Sequence, residues 1–118
     1  FARACYSMPP SWGATLVKRV LSDETLTQEW RSELSEMRER VITMRLLFTQ
    51  NLTQLGAHFD AEYLAKQQGM FSFLPLTPAQ ILQLRQRQGI YLPDSGRISF
   101  TGLTQNNIDY VAEALATR

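Results

Sequence analysis

The stretch ETLTQEWRSELSEMRERVITMRLLFTQNLTQL, residues 24–55, decides the fold. Its apolar side chains recur at steps of three and four, which places them along one stripe of a single long helix. The stripe consists of Trp30, Leu34, Met37, Val41, Met44, Phe48, Leu52 and Leu55. Gly56 is a natural stop for this helix. A helix of this length measures roughly 45–50 Å, so we expect it to span or border a body larger than an ordinary domain of this chain's length.

The other side of the same helix is charged. It carries Arg31, Glu33, Glu36, Arg38, Glu39, Arg40 and Arg45. Arginines that alternate with glutamates in this way predict a face in contact with water. A helical interaction module that self-associates through the apolar stripe is the alternative, although the stripe covers fewer than five heptads and mixes Met, Phe and Trp.

Shorter elements are predicted on either side of the long helix. Residues 14–21 form a short helix, and Ser22 or Asp23 caps the next one. Residues 70–74 form a strand with aromatic rings on one face. Residues 77–80 read Thr-Pro-Ala-Gln, a capping box with proline at the first helical position, and that helix ends near Gly89.

The remaining part of the chain predicts a hairpin and a last helix. Residues 90–92 form a short strand, residues 93–96 form a turn, and residues 97–100 form a second strand. Thr104 caps a helix that runs to about Ala116, with Ile108, Val111, Ala112 and Leu115 facing inward. The fold class is therefore α+β, with a long helix and a small, mostly antiparallel sheet flanked by helices.

Composition excludes several classes of protein. The 118 residues amount to one domain, and the net charge of +1, from 12 Lys and Arg against 11 Asp and Glu, gives no reason to expect a nucleic-acid partner. One cysteine, Cys5, and one histidine, His58, allow neither an intramolecular disulfide nor a zinc site of ordinary ligand count. We expect no metal, no membrane span and a reducing, cytoplasmic location. Because the chain begins with Phe1 rather than Met, we expect it to be a piece of a longer or processed protein.

The residues that suggest a binding site are arginines and aromatics. Arg97 follows a Ser-Gly turn at the start of a strand, and its planar guanidinium suits two-point binding of a carboxylate or phosphate. The alternative is an exposed hairpin arginine paired with Asp94. Phe71 and Phe73 are either core residues, which is the commoner role, or a platform for a ligand. Arg3 is equally open on its own.

A second function class fits residues 77–100. A capped helix with Arg85 and Arg87 near its end, followed by a hairpin, is typical of a recognition helix and wing in a winged-helix DNA-binding domain. The dispersed basic residues and the balanced net charge disfavour this alternative.

Several local motifs together resemble one family. Residues 3–14, RACYSMPPSWGA, resemble the R-x-x-Y-S-x-P-P-x-x-G-A run of aspartate and aromatic amino acid aminotransferases, which are fold-type I enzymes that use pyridoxal phosphate. Residues 69–73, GMFSF, resemble their G-M-F-S-F strand, and residues 85–91 are similar to their R-x-x-x-G-V-Y segment. Residues 95–98, SGRI, and 102–104, GLT, resemble the segments that follow, so the resemblance covers nearly the whole chain in order.

This resemblance implies that residues 1–118 are the carboxy-terminal small domain of a homodimeric aminotransferase, without the large cofactor-binding domain. Arg97 then matches the arginine that holds the substrate α-carboxylate, and Arg3 matches the one that reaches the distal carboxylate across the dimer interface. Phe71 matches an aromatic close to the substrate, while Tyr6 and Ser7 match interface residues near the partner's active site. The expected substrates are an amino acid, either aspartate or an aromatic one, and a 2-oxo acid such as 2-oxoglutarate.

Two kinds of departure accompany the resemblance. Met8 replaces a small polar residue, and Asp94 replaces a small apolar residue at a place where its charge could pair with Arg97 and weaken substrate binding. The lysine, aspartate and phosphate-binding residues that the family uses for the cofactor have no match here, since Lys18 and Lys66 stand in no corresponding motif. We therefore expect no catalytic residue in this chain, no tight binding of pyridoxal phosphate and no transamination by the chain alone.

Overall fold

A computed structural model of the chain describes residues 10–117, and it confirms the α+β fold class. The elements are α1 (Trp12–Ser22), α2 (Glu24–Gln54), α3 (Glu62–Lys66), β1 (Phe71–Phe73), α4 (Pro78–Gln88), β2 (Arg97–Ser99), a 3-10 helix (Phe100–Gly102) and α5 (Ile108–Ala116). The chain divides into two compact units, Phe1–Met37 and Arg38–Arg118. No helix among residues 10–117 combines the length and the apolar character that a membrane span requires.

The first unit presents apolar side chains to solvent over the residues described. The predicted short helix is confirmed as α1, and the Asp23 carboxylate accepts a hydrogen bond from the Leu26 backbone at the start of α2. Trp30, Leu34 and Met37, the first three residues of the apolar stripe, are about half exposed. The apolar residues of α1 are exposed as well: Trp12, Leu16, Val17 and Leu21. In this unit, the apolar stripe of α2 is therefore not buried by the described residues of the chain.

The second unit has a true core, built on the later part of the stripe. Met44, Phe48 and Leu52 of α2 are buried, and the ring of Phe48 packs edge-on against Phe100 with 6.0 Å between centroids. The other core residues are spread over the chain from α3 to α5, and they include Leu64, Leu74, Leu84, Ile98, Leu103, Ile108, Ala112 and Leu115. Leu55, the last residue of the predicted stripe, is exposed, and it lies just after the end of α2 at Gln54.

The sheet differs from the predicted hairpin. β2 pairs antiparallel with β1, which precedes it by more than twenty residues, and residues 90–92 form no strand. The backbone groups of that segment are used elsewhere: the Ile90 amide donates to the Leu84 carbonyl at the end of α4, and the Leu92 carbonyl accepts from the Arg85 side chain. Pro93 supplies no amide hydrogen. The prediction of a hairpin over residues 90–100 was therefore wrong, although the turn before Arg97 is present.

The sequence predicted the bounds of α4 correctly but placed the start of α5 too early. Thr77 and Gln80 form the predicted capping box, and α4 ends at Gly89, whose φ of 64° is the left-handed conformation typical of such a position. α5 begins at Ile108 instead of directly after Thr104. A turn separates the two, because the Asn107 side chain accepts from the Thr104 amide while the Asn107 amide donates to the Thr104 carbonyl.

The capping box yields a test of local stability. We expect Thr77→Ala to lower the free energy of unfolding by about 1 kcal/mol, since the Gln80 amide loses its side-chain acceptor. Ser11→Ala is the matched control, because Ser11 occupies the N-cap of α1 without a side-chain capping bond. Urea titration followed by circular dichroism measures both changes, and an equal effect of the two substitutions would contradict the assignment.

Candidate anion-binding site

The outward face of the two-stranded sheet carries the residues that the sequence singled out. Phe71 and Phe73 of β1 and Arg97 of β2 point to solvent, with Phe71 44% exposed. Ser72 and Ile98, which lie opposite each other in the register, are buried at 2% and 4%. The alternation predicted for β1 is thus confirmed, but the side is reversed: the aromatics face water and the serine faces the core. The core role favoured for Phe71 and Phe73 was wrong.

The Arg97 guanidinium lies over the Phe71 ring. The Arg97 Cζ is 4.8 Å from the ring centroid, and the contact runs diagonally across the strands because Arg97 is paired with Phe73. An exposed contact of this kind contributes about 0.5–1 kcal/mol. Within residues 10–117, no side chain or carbonyl accepts a hydrogen bond from Arg97. The ring therefore restrains the guanidinium plane while the N–H donors stay available for a ligand.

Gly96 sets the position of Arg97. Its φ of 73° lies in the left-handed region, and its amide donates to the Pro93 carbonyl across the turn at 2.9 Å. A Cβ at this position would come within 2.5 Å of the Leu74 carbonyl oxygen. The Gly96 carbonyl also accepts from the Leu74 amide at 2.9 Å, which continues the ladder beyond β1 and β2. Only glycine permits both the turn and this close backbone approach.

An open depression of about 310 Å³ lies beside Arg97. It is lined by Phe71, Ile90, Tyr91, Leu92, Pro93, Arg97, Ile98, Ser99, Gly102, Leu103, Asn107 and Val111. The loop that forms one wall is held by Arg85, whose guanidinium donates to the Leu92 carbonyl and lies over the Tyr91 ring with 5.9 Å to the centroid. The depression thus combines an available guanidinium with apolar and aromatic walls, which suits a small organic anion.

On its core side, the sheet is held by Arg45, a residue for which the sequence indicated no such role. Arg45, which was predicted on the solvated face of α2, is 3% exposed and hydrogen-bonds Ser72 of β1 at 2.6 Å. Burial lowers the pKa of the Arg45 guanidinium from its ordinary value. That prediction failed because Arg45 stands next to Met44 on the helix, at the margin of the buried stripe, where neutral oxygens satisfy its donors. Arg45, Thr49 and Leu52 are spaced by four and three residues, and all three are buried. This spacing from Leu52 was the signal in the sequence that could have placed Arg45 on the buried side of α2.

Tyr63 holds the other end of β1. Its hydroxyl donates to the Phe73 carbonyl. Burial, and secondarily the nearby Asp60 carboxylate, raise the pKa of Tyr63, so the phenol remains a donor throughout the neutral range.

The other predicted site residues and the alternatives have separate outcomes. Arg3, Tyr6 and Ser7 fall outside the described residues. Asp94 is exposed in the turn, and within residues 10–117 it makes no ion pair with Arg97, so the expected pairing was wrong. Over the same part of the chain, no three His, Cys, Asp or Glu side chains are grouped as metal ligands. The wing required by the DNA-binding alternative is missing too, because residues 90–92 are not a strand.

The family model for class I and II aminotransferases matches residues 1–115. The chain belongs to the class I and II aminotransferases. Its sequence is 46% identical to the aspartate aminotransferase of Haemophilus influenzae and 41% identical to the aromatic-amino-acid aminotransferase of Escherichia coli. These alignments cover 96% and 97% of this chain, but 28% and 29% of the relatives. This aminotransferase chain therefore spans less than a third of the curated relatives' length.

A solved structure agrees with the sequence relatives. The aromatic-amino-acid aminotransferase from Burkholderia pseudomallei, covalently bound to pyridoxal phosphate, superposes on 98% of this chain with a TM-score of 0.90 at 40% identity. The alignment covers 29% of that enzyme. The arrangement of helices and strands described above is therefore an aminotransferase fold segment.

The Gly96 turn makes a stability prediction. Gly96→Ala should lower the free energy of unfolding by about 3 kcal/mol, because a left-handed φ and a backbone clash act together. Gly89→Ala is the control: its φ is also positive, but no atom lies within 4 Å of the added Cβ, so the loss should be about 1 kcal/mol. Thermal unfolding of both variants measures the difference, and equal losses would show that the approach to Leu74 does not matter.

Proposed function

We propose that this chain is the substrate-carboxylate-binding small domain of a pyridoxal-phosphate-dependent aminotransferase. The parent enzyme would move an amino group between aspartate or an aromatic amino acid and 2-oxoglutarate. The observation that carries the proposal is the Arg97 guanidinium, which is stacked on Phe71, unpaired among residues 10–117 and open to a depression, in a chain of this family. A cytoplasmic location, suggested by the single cysteine, belongs to the same proposal.

The proposed role of Arg97 follows from its chemistry. A guanidinium fork makes two parallel hydrogen bonds to a carboxylate, which fix both the position and the plane of that group. An amino acid held in this way has its Cα–H bond aimed in one direction, and orientation of this kind lowers the barrier to proton removal. Phe71 limits the movement of the fork and covers one side of it, which keeps water from that side. Closure of this domain over the substrate would exclude water further.

Arg3 completes the proposal for dicarboxylates. Aspartate and 2-oxoglutarate carry a carboxylate at each end, so a second guanidinium would distinguish them from aromatic substrates. The resemblance of residues 3–14 to the family motif supports this assignment for Arg3, and it supports Tyr6 and Ser7 as contacts at the interface of a homodimer. A shared interface would bring Arg3 of one subunit to the active site of its partner.

The described residues do not fit a complete cofactor site. Pyridoxal phosphate in the parent enzyme supplies the electron sink that stabilises the carbanion, and it is held through a lysine. Lys18 is exposed on α1 and Lys66 is exposed on α3, and neither lines the depression that contains Arg97. The cofactor-binding residues are therefore proposed to lie in the rest of the parent enzyme, and the present chain alone is proposed to be inactive.

The first test concerns the isolated chain. The visible spectrum of pyridoxal phosphate should be the same in the presence of the 118-residue chain as in the presence of its Lys18→Arg/Lys66→Arg variant, because neither lysine is part of a binding site. The control variant accounts for non-specific reaction with exposed amines. A saturable spectral change that needs one of these lysines, or measurable transamination, would overturn the proposed inactivity.

The second test concerns Arg97 in the full-length parent enzyme. Arg97→Ala should reduce kcat/KM by at least about a hundredfold for aspartate and for aromatic amino acids alike, since every substrate carries the α-carboxylate. Arg97→Lys should recover only part of the loss, because an ammonium keeps the charge but not the fork. Arg87→Ala, which removes an exposed arginine of α4 outside the depression, is the matched control. Near-normal turnover by Arg97→Ala would refute the assigned role.

Arg3 is tested by selectivity in the same assay. Arg3→Ala should reduce kcat/KM for aspartate by about tenfold or more while changing kcat/KM for phenylalanine much less, because only aspartate has a second carboxylate. Parallel losses for both substrates would show that Arg3 does not read the distal carboxylate.

A further inference from the structure

Arg45 is the one charged residue that is buried among residues 10–117. Its guanidinium donates to the Leu64 carbonyl at 3.0 Å, to the Ser72 hydroxyl at 2.6 Å and to the Gly69 carbonyl at 2.5 Å. Its Cζ also lies 4.2 Å from the centroid of the Phe100 ring. One side chain of α2 thus contacts the end of α3, the segment before β1, β1 itself and the 3-10 helix.

These partners are all neutral. No carboxylate within the described residues pairs with Arg45, so the cost of burying its charge is offset by three charge-assisted hydrogen bonds and an aromatic face. A buried charge held in this way is costly to move, because every displacement leaves a donor without an acceptor. The Arg45 guanidinium is therefore held in one position within the second unit.

The two strands of this sheet are too short to form a stable sheet by themselves. β1 and β2 have three residues each and form a sheet of only two strands, which is marginal without outside support. A slip of one residue would turn Ser72 outward and the neighbouring aromatics inward. The hydrogen bond from Arg45 to Ser72 fixes which residue of β1 faces the core, and the contact with Phe100 fixes the segment directly after β2.

The opposite face of the same strands carries the proposed site. Phe71 and Phe73 flank Ser72 on β1, and Ser72 is the register partner of Ile98, the residue after Arg97. The Phe100 amide donates to the Met70 carbonyl at 2.8 Å, so the Phe100 segment and the start of β1 are joined directly. Ser72 is thus joined to Phe71 by the chain and to Ile98, the neighbour of Arg97, by pairing, while Phe100 is bonded to Met70, the neighbour of Phe71.

We propose that Arg45 is a positioning residue for substrate binding: from the core side of the sheet, it holds Ser72 and Phe100 so that Arg97 and Phe71 keep the geometry that receives the α-carboxylate. This inference rests on the proposed function of Arg97. It assigns Arg45 no contact with substrate or cofactor.

The test uses the full-length parent enzyme. Arg45→Met should raise KM for amino acid substrates about tenfold, by the same factor for aspartate and phenylalanine, with a smaller change in kcat. Arg45→Lys should recover part of this loss, since it keeps the charge and some of the donors. Arg40→Met is the matched control: Arg40 lies on the same helix and donates to the Leu103 carbonyl, but it makes no bond to β1. Unchanged KM in Arg45→Met, or an equal effect of Arg40→Met, would overturn the proposal.

A second arm separates positioning from general loss of structure. In an Arg97→Ala background, Arg45→Met should raise KM no further, because the group that it positions is already gone. A full additional tenfold rise would show that Arg45 acts by another route. If Arg45→Met fails to fold, Ser72→Ala replaces it: this variant removes one hydrogen bond and should raise KM about threefold with unchanged circular dichroism.

A readout without activity keeps the inference distinct from the proposed function. In the same enzyme, hydrogen exchange of the Leu74 and Phe100 amides reports on the sheet, since these amides donate to Gly96 and Met70. Exchange should be about tenfold faster in Ser72→Ala or Arg45→Met than in Arg40→Met. If exchange is unchanged, or if the sheet loosens while KM does not change, the role proposed for Arg45 fails and that of Arg97 stands. Near-normal turnover by Arg97→Ala, whatever the exchange rates, is the separate result by which the role of Arg97 fails.

Discussion

The pairing of Ser72 with Ile98 is the constraint on which the second unit depends. Because side chains alternate along a strand, burial of these two residues forces their neighbours Phe71, Phe73 and Arg97 to the outer face. The hydrogen-bond ladder between the strands is short. It is extended at one end, where Gly96 allows the backbone to approach Leu74. The binding face is therefore a consequence of what the sheet buries on its other side.

The use of a buried arginine for this purpose has an energetic logic. An apolar side chain at Arg45 would fill the space at a lower desolvation cost, but apolar contacts tolerate sliding, whereas hydrogen bonds to Leu64, Gly69 and Ser72 hold at only one relative position. Tyr63 acts in the same way through the Phe73 carbonyl. Both side chains specify position through directional hydrogen bonds, and a short sheet that carries a binding residue needs such specification.

Local rules predicted much of the fold from the sequence, and non-local contacts account for the errors. The capping box at Thr77, the stop at Gly89 and the long helix depend on neighbouring residues only, and they were predicted within a residue or two. Residues 90–92 were mistaken for a strand because β2 finds its partner in β1, far earlier in the chain. Arg45 was placed in water because no sequence pattern shows that the Leu64 and Gly69 carbonyls and the Ser72 hydroxyl converge on one helix position. Arg97 and Phe71 were selected by family motifs, whereas their stacking and the exposure of Phe71 depend on the pairing of two strands that are far apart in the sequence.

The exposed tryptophans have a practical consequence for spectroscopy. The chain has two, Trp12 and Trp30, and they are 72% and 46% exposed in the unit that ends at Met37. Intrinsic tryptophan fluorescence therefore reports on that unit, and we expect its emission to resemble that of indole in contact with water before any denaturant is added. The sheet that carries Arg97 contains no tryptophan, so its melting is invisible in this signal. An optical probe of the site has to be introduced, and Phe73→Trp, on the outward face of β1, places one next to Arg97 without entering the core.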